Sequence, residues 1–291
     1  MTDTTTRTAP PSTVLSRTYL VDGMRSHVLE AGDGRPVVLL HGGEWGGCAA
    51  LTWEAVIPVL AEHYRVIAPD WLGFGQTAKV VDLADPMGRR LAHMRRLLET
   101  IDAIEAAFVG NSMGGGLLLA AITADPPLFD ARAVILAGAG GFVPDNEARR
   151  AGFAYDGTLE GMRAFLGLLF SDTARVDDAL VERWHRLSLV PGAYESMASL
   201  MLAPPGTPKR SPFGRPDPTP YERIQAPTLV VGGADDQLRL DGWLDEFVPR
   251  IPNGRGVLYE SCGHLVPVDA SDRFNRDALA FLLETYPPTE Q

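Results

Sequence analysis

The chain has 291 residues, 45% of them hydrophobic and 22% charged, enough to bury a large core in one α/β domain with an insertion. Its net charge of −11 opposes binding to nucleic acid or to an anionic membrane surface, because the protein's own field repels both. No apolar run is long enough for a spanning helix, no secretory h-region follows the N-terminus, and two cysteines, Cys48 and Cys262, make neither a disulfide framework nor a metal cluster, so a cytoplasmic protein is expected.

Residues 1–14, rich in Thr, Ser and Pro without an apolar period, read as a disordered tail. Residues 18–21 and 24–30, joined by Asp22-Gly23, predict a β-hairpin. Residues 37–40 form a continuous apolar run, as expected of a strand buried on both faces of a parallel sheet. That strand runs into His41-Gly42-Gly43-Glu44-Trp45-Gly46-Gly47, a loop whose glycines let backbone N–H groups approach a ligand.

Residues 53–63 have helical spacing, with Val56, Val59 and Leu60 on one side. Residues 64–68 predict another buried strand, ending at Asp70 before Gly73-Phe74-Gly75. Asp70 reads as a structural carboxylate tying down that loop. Residues 87–101 predict a helix with Leu91, Met94, Leu97 and Leu98 on one face.

The stretch Val109-Gly110-Asn111-Ser112-Met113-Gly114-Gly115 lies between a strand (106–109) and a helix (117–124). Glycines two before and two after the serine permit a sharp turn that presents a hydroxyl, with the amides of the following helix beside it. G-x-S-x-G is weak alone, so the test is whether a carboxylate and a histidine follow further on. After a strand at 133–137 the βα rhythm stops, and residues 142–220 read as an inserted helical cap, with helices expected at 159–170, 176–189 and 194–202 and seven prolines between 204 and 220. Strand 228–232 leads to Ala234-Asp235-Asp236-Gln237, and strand 256–259 leads to Ser261-Cys262-Gly263-His264, with a helix (242–248) between them and a closing helix at 272–283.

Three loops at strand C-terminal ends gather at one edge of an open parallel sheet. Ser112 would attack, His264 would carry its proton, and an aspartate would orient the imidazole. Asp236 is favoured, with Asp235 as its alternative. His27, His63, His93 and His185 have no partner motif and read as packing or surface residues.

The order of serine, aspartate and histidine, the elbow, the His41-Gly42-Gly43 loop and the helical insertion resemble the α/β-hydrolase superfamily over about residues 16–283. The likeness implies an α/β-hydrolase fold with a core of residues 15–141 and 221–291, selects Asp236, three residues after Gly233, and gives the oxyanion donors as the backbone N–H groups of Gly43 and Met113. Within the superfamily, residues 110–115, 66–70 with 73–75, 262–264 and 272–276 are similar to the meta-cleavage product hydrolases, which break a carbon-carbon bond in ring-fission products. That resemblance implies a small-molecule dienoate substrate and leaves homo-oligomerisation open; the sequence has no HExxH, no CxxC and no phosphate-cradling Gly-Lys-Ser/Thr loop, so no metal or organic cofactor is expected. It gives substrate contacts at Asn111 and in the cap helix at Arg183 and Trp184. The chain departs from the family at Glu44-Trp45, where a Gly-Pro-Gly is usual, and at Leu265, where an aromatic is common. The cap helix is displaced by one residue, about 100° of helical turn, so Arg183, Arg186 or neither would face the substrate. A carboxylic-ester hydrolase with the same triad is the alternative activity, and a ligand-binding protein on the same fold a more distant one.

Overall fold

A computed structural model of the protein describes residues 13–199, 202 and 213–289. Eight strands form one sheet: β1 (Leu15–Val21), β2 (Met24–Ala31), β3 (Pro36–Leu40), β4 (Arg65–Pro69), β5 (Glu105–Asn111), β6 (Asp130–Ala137), β7 (Thr228–Gly233) and β8 (Gly254–Tyr259), in the order β1-β2-β4-β3-β5-β6-β7-β8. The β1–β2 and β2–β4 pairs are antiparallel, and every other neighbouring pair is parallel. The fold is that of an α/β hydrolase.

The apolar runs are strands because both of their faces are covered. Val38 and Leu40 join Phe108, Val134 and Leu136 in the core on one side, whereas Val37 and Leu39 join Val109, Ala133 and Ile135 on the other. Helices close both layers. On the second side lie α1 (Ala49–Thr52) and α2 (Ile57–Leu60); on the first lie α3 (Pro86–Thr100) and α4 (Met113–Thr123), with Leu91, Met94, Leu97 and Leu98 of α3 buried as the spacing predicts. Of the helix expected at 53–63 only α2, Ile57–Leu60, forms; α1 ends before that stretch begins. Pro58 stands in the first turn of α2 and has no N–H to bond the carbonyl of residue 54, so no helix can run through.

Between β6 and β7 the described residues hold helices and no strand: α5 (Glu147–Gly152), α6 (Leu159–Gly167), α7 (Asp178–Ser188) and α8 (Ala193–Ala198). Much of the proline-rich stretch, and residues 200 and 201 of the last expected helix, lie outside the described residues, as do residues 1–12 of the expected tail. The chain then runs through α9 (Trp243–Phe247), the single turn α10 (Val266–Asp269) and α11 (Ser271–Thr285), which packs Phe274, Phe281 and Leu282 into the second core layer. No helix among the described residues is long and apolar enough to cross a membrane.

From β3 the chain moves to β4 on one side and later returns as β5 on the other. The loops after β3 and β5 therefore diverge at this switch point and leave a crevice at the C-terminal edge, where open α/β sheets bind ligands.

Candidate active site

Ser112 caps the strand-to-helix turn with φ 49° and ψ −119°, a conformation rare for a residue with a side chain. The turn is closed by contacts that exclude larger residues. A Cβ on Gly110 would lie 2.6 Å from the Gly115 Cα, and one on Gly114 would lie 2.3 Å from the Leu40 carbonyl. The Ser112 amide bonds the Ala137 carbonyl of β6 at 2.9 Å, so the strained residue is held by the sheet.

The Ser112 hydroxyl donates to His264 Nε2 at 2.7 Å, and His264 Nδ1–H donates to Asp236 Oδ2 at 2.7 Å. His264 and Asp236 are both buried. Burial opposes ionisation of Asp236, but the field and hydrogen bond of His264, the charge of Arg239 and the Leu238 amide outweigh it and hold the carboxyl below its ordinary value. An ionised Asp236 fixes the imidazole proton on Nδ1 and leaves Nε2 to accept from the serine. Its neighbour Asp235 is exposed and bonds Ser171 instead.

The histidine loop is pinned from the helical segment. The His264 amide donates to the Leu169 carbonyl at 2.8 Å, and buried Asp269 accepts from the amides of Gly263 and Ser171 at 2.7 and 2.9 Å.

A cavity of about 450 Å³ opens over Ser112 and His264. Gly43 and Met113 border it. Among the described residues neither of their amides has a protein acceptor, which leaves both able to donate to a group bound in the cavity, and Met113 is the first residue of α4, where the helix dipole attracts negative charge. Trp45 ties this loop to the helical segment. Its Nε1 donates to the Gly152 carbonyl at 2.9 Å, and its ring packs on Tyr155 and Tyr194 with centroids 5.3 and 5.0 Å away.

The three substrate contacts expected from the sequence lie elsewhere. Asn111 is buried beneath the loop after β3, where its Nδ2 faces Glu44 Oε1 at 3.4 Å. In α7 the inward positions are Val181, Trp184 and Ser188; Arg183 looks outward to Glu54 at 2.6 Å, and Arg186 is exposed. Trp184 packs in the core behind the loop and does not line the cavity.

Among the described residues, the arginines that do line the cavity are Arg149 and Arg239. Arg149 donates from Nε and Nη2 to the carbonyls of Pro144 and Leu238 and stacks on Phe213, leaving Nη1 without an acceptor among the described residues. Arg239 donates to the carbonyls of Gly138, Gly140 and Phe142. Burial draws both below their ordinary values, Arg149 to about 10. No sequence pattern marks Arg149; Arg239 could have been suspected from its place three residues after Asp236.

The arrangement can activate a hydroxyl for attack on a carbonyl and stabilise the oxyanion formed. Comparisons with known proteins agree with a hydrolase. The sequence profile of the alpha/beta hydrolase family matches residues 37–277. The 2-hydroxy-6-oxo-6-(2'-aminophenyl)hexa-2,4-dienoic acid hydrolase of Metapseudomonas resinovorans is 32% identical, over 93% of this chain and 92% of the relative. The 2-hydroxymuconate semialdehyde hydrolase of Pseudomonas sp. (strain CF600) is 30% identical, over 93% and 94%. Among solved structures, a meta-cleavage product hydrolase from Pseudomonas fluorescens superposes with a TM-score of 0.81 at 29% identity, covering 92% of this chain and 97% of that one. On this evidence the protein is an enzyme of the alpha/beta hydrolase family and is similar, within that family, to the meta-cleavage product hydrolases.

Proposed function

We infer that the protein is a serine-dependent hydrolase that cleaves a carbon-carbon bond in a 2-hydroxy-6-oxo-dienoate type of ring-fission product. The observation that carries this reading is the unbroken series from Ser112 through His264 to Asp236, opening on a cavity with arginines in an otherwise largely apolar wall. A dienoate has matching parts: a carboxylate for a guanidinium, a hydrocarbon body, and a distal ketone for the serine. Arg149, whose Nη1 has no acceptor among the described residues, supplies the cation, and residues such as Leu119, Phe165 and Leu168 supply the apolar contact. The names of the relatives support the same substrate class. The described part of residues 142–220, which supplies Phe153, Phe165 and Leu168 to the lining, serves as a cap over this cavity.

The dienol is first ketonised by moving a proton onto carbon. His264 then assists Ser112 or water in attack on the distal carbonyl, and the amides of Gly43 and Met113 hold the developing oxyanion, an effect worth about 3 to 4 kcal/mol per donor. Collapse breaks the carbon-carbon bond, whose electron pair leaves as a dienolate that takes a proton from His264, and water supplies the hydroxyl of the released acid.

The second reading is a carboxylic-ester hydrolase with the same triad, favoured by the outward turn of Arg183 to Glu54. Offering purified protein a ring-fission dienoate and a p-nitrophenyl ester separates the two. The carbon-carbon reading predicts rapid bleaching of the dienoate; fast ester turnover beside an unchanged dienoate assigns the second activity instead.

A further inference from the structure

Leu169 belongs to the cavity and to the histidine loop at once. Its side chain lines the cavity, and its carbonyl accepts from the amides of His264 and Leu265 at 2.8 and 3.4 Å. The two backbones meet with no side chain between them: a Cβ on Gly263 would lie 2.4 Å from the Leu169 carbonyl oxygen and 2.9 Å from the Ser171 amide nitrogen. Ser171 reaches the acid loop as well. Its hydroxyl bonds Asp235, whose amide donates to the Cys262 carbonyl at 2.9 Å.

Asp269, the last residue of α10, holds this junction shut. It is 5% exposed. Its Oδ2 accepts from the Gly263 amide of the histidine loop and from the Ser171 amide of the helical segment, 2.7 and 2.9 Å away. Its Oδ1 accepts from Arg175 Nη1 at 2.7 Å, and the same guanidinium bonds the carbonyls of Asp269 and Val268. Arg175 ends the short turn Thr173–Arg175 of the helical segment, so that segment supplies two of the three partners. Every hydrogen-bond partner of the side chain is a donor, and a carboxylate, which only accepts, fits the position.

We propose that Asp269 is a positioning residue for the reaction: with Arg175 it clasps the cavity wall at Leu169 to the loop of His264, so that the seating of that wall sets the aim of the imidazole at Ser112. The proposal rests on the triad reading and is indifferent to which bond is broken. Asp269 does not line the cavity and acts through the loop it holds. His264 Nε2 and the Ser112 hydroxyl are 2.7 Å apart, and a displacement of about 1 Å between such reacting groups costs on the order of 100-fold in rate. The loss falls on the chemical step, and therefore on kcat rather than on KM.

The test compares wild type, Asp269→Ala and Asp269→Asn, each checked for folding by circular dichroism. It measures turnover of a ring-fission dienoate and of a p-nitrophenyl ester, and the rate at which phenylmethanesulfonyl fluoride labels Ser112. Alanine takes the acceptor from both amides. Asparagine can turn its oxygen to them, because its NH2 then faces Arg175, whose side chain is 46% exposed and able to swing into water. Asp269→Ala is expected to lose about 100-fold in kcat and in labelling rate with KM within about threefold, and Asp269→Asn to recover at least about tenfold of that loss. In wild type, residues 169–171 and 261–265 are expected to open to amide hydrogen exchange as one unit, and this arm decides the matter if the variants do not fold. Asp269→Ala rates within about threefold of wild type, a loss confined to KM, an asparagine variant no better than alanine, or two segments that exchange independently overturns the proposal and leaves the triad standing. A wild type whose Ser112 the reagent does not label overturns both.

Discussion

Trp45 and Tyr194 stack with ring centroids 5.0 Å apart and planes 27° apart, joining the loop that carries Gly43 to helix α8. With the Trp45 Nε1 bond to Gly152, the loop after β3 is fastened to the helical segment at two points. Under the proposed mechanism, the position of that segment and the aim of the Gly43 amide are thereby linked through one side chain.

Trp45→Phe keeps most of the packing but loses the donor to Gly152, at a cost of about 1 kcal/mol. Trp45→Ala also empties a fully packed site and costs about 3 to 5 kcal/mol. The expected kinetic signature is a fall in kcat for Trp45→Phe larger than its stability loss implies, because an oxyanion donor shifted slightly forfeits transition-state binding. Steady-state kinetics beside urea denaturation checks this; an unchanged kcat argues against the link.

Ser16, His27 and Asp70 form a second hydrogen-bonded series, with Ser16 Oγ to His27 Nε2 at 2.9 Å and His27 Nδ1 to Asp70 Oδ2 at 2.8 Å. It lacks what a reactive site needs: Ser16 is exposed on an edge strand in ordinary extended pairing, and it borders no described cavity. Asp70 accepts from the amides of Ala49 and Gln76 as well as from His27, so its work is to hold the loop after β4. Ser16→Ala is expected to leave turnover unchanged and stability within about 0.5 kcal/mol. Asp70→Ala strands buried donors and is expected to cost about 3 to 5 kcal/mol, read from denaturant midpoints.

His41 donates from Nδ1 to the Gly42 carbonyl at 2.7 Å and accepts at Nε2 from the Trp71 amide at 3.1 Å. That pattern fits the neutral ring alone, and burial lowers its pKa from the ordinary 6.5. His93 is lowered by burial in the same sense. Folded-state values below the unfolded ones mean that this stability is complete above pH 6.5 and is lost as pH falls toward the folded values. Glu44, raised from 4.5, acts in the opposite direction: it favours the folded state less as pH climbs above 4.5. Denaturation at pH 8 and pH 5.5 is expected to show weaker stability at the lower value, with a smaller difference in His41→Gln. Equal differences in the two proteins would remove His41 from the account.

The sheet was readable because strands covered on both faces leave continuous apolar runs such as Val37-Val38-Leu39-Leu40. The meeting of Ser112, Asp236 and His264 was readable because parallel strands bring their following loops to one edge. What failed depended on rotation and on close approach. The outward phase of Arg183 is set by which face of α7 packs inward, and neighbouring residues on a helix point about 100° apart. Arg149 and Arg239 come from separate connections and share a wall only after folding. His27, expected as a packing or surface residue, is buried, and its bond to Asp70, on a different strand end, has no sequence motif to announce it. The fold of the Glu44 carboxyl against Gly42 and Gly47 leaves no periodic trace.

Arg149→Leu removes the cation without adding bulk. With a carboxylate-bearing substrate, KM is expected to rise by about tenfold or more, the equivalent of a lost charge-assisted hydrogen bond, while a neutral p-nitrophenyl ester is little affected. Equal effects on charged and neutral substrates would separate the guanidinium from substrate recognition.

The most direct test of the central claim follows the disappearance of a ring-fission dienoate in a single turnover by wild type and by Ser112→Ala, with the fragments identified by mass. The account predicts two fragments that together contain one added water, and a Ser112→Ala rate lower by on the order of 10⁴-fold. A Ser112→Ala protein that cleaves the dienoate as fast as wild type would contradict it.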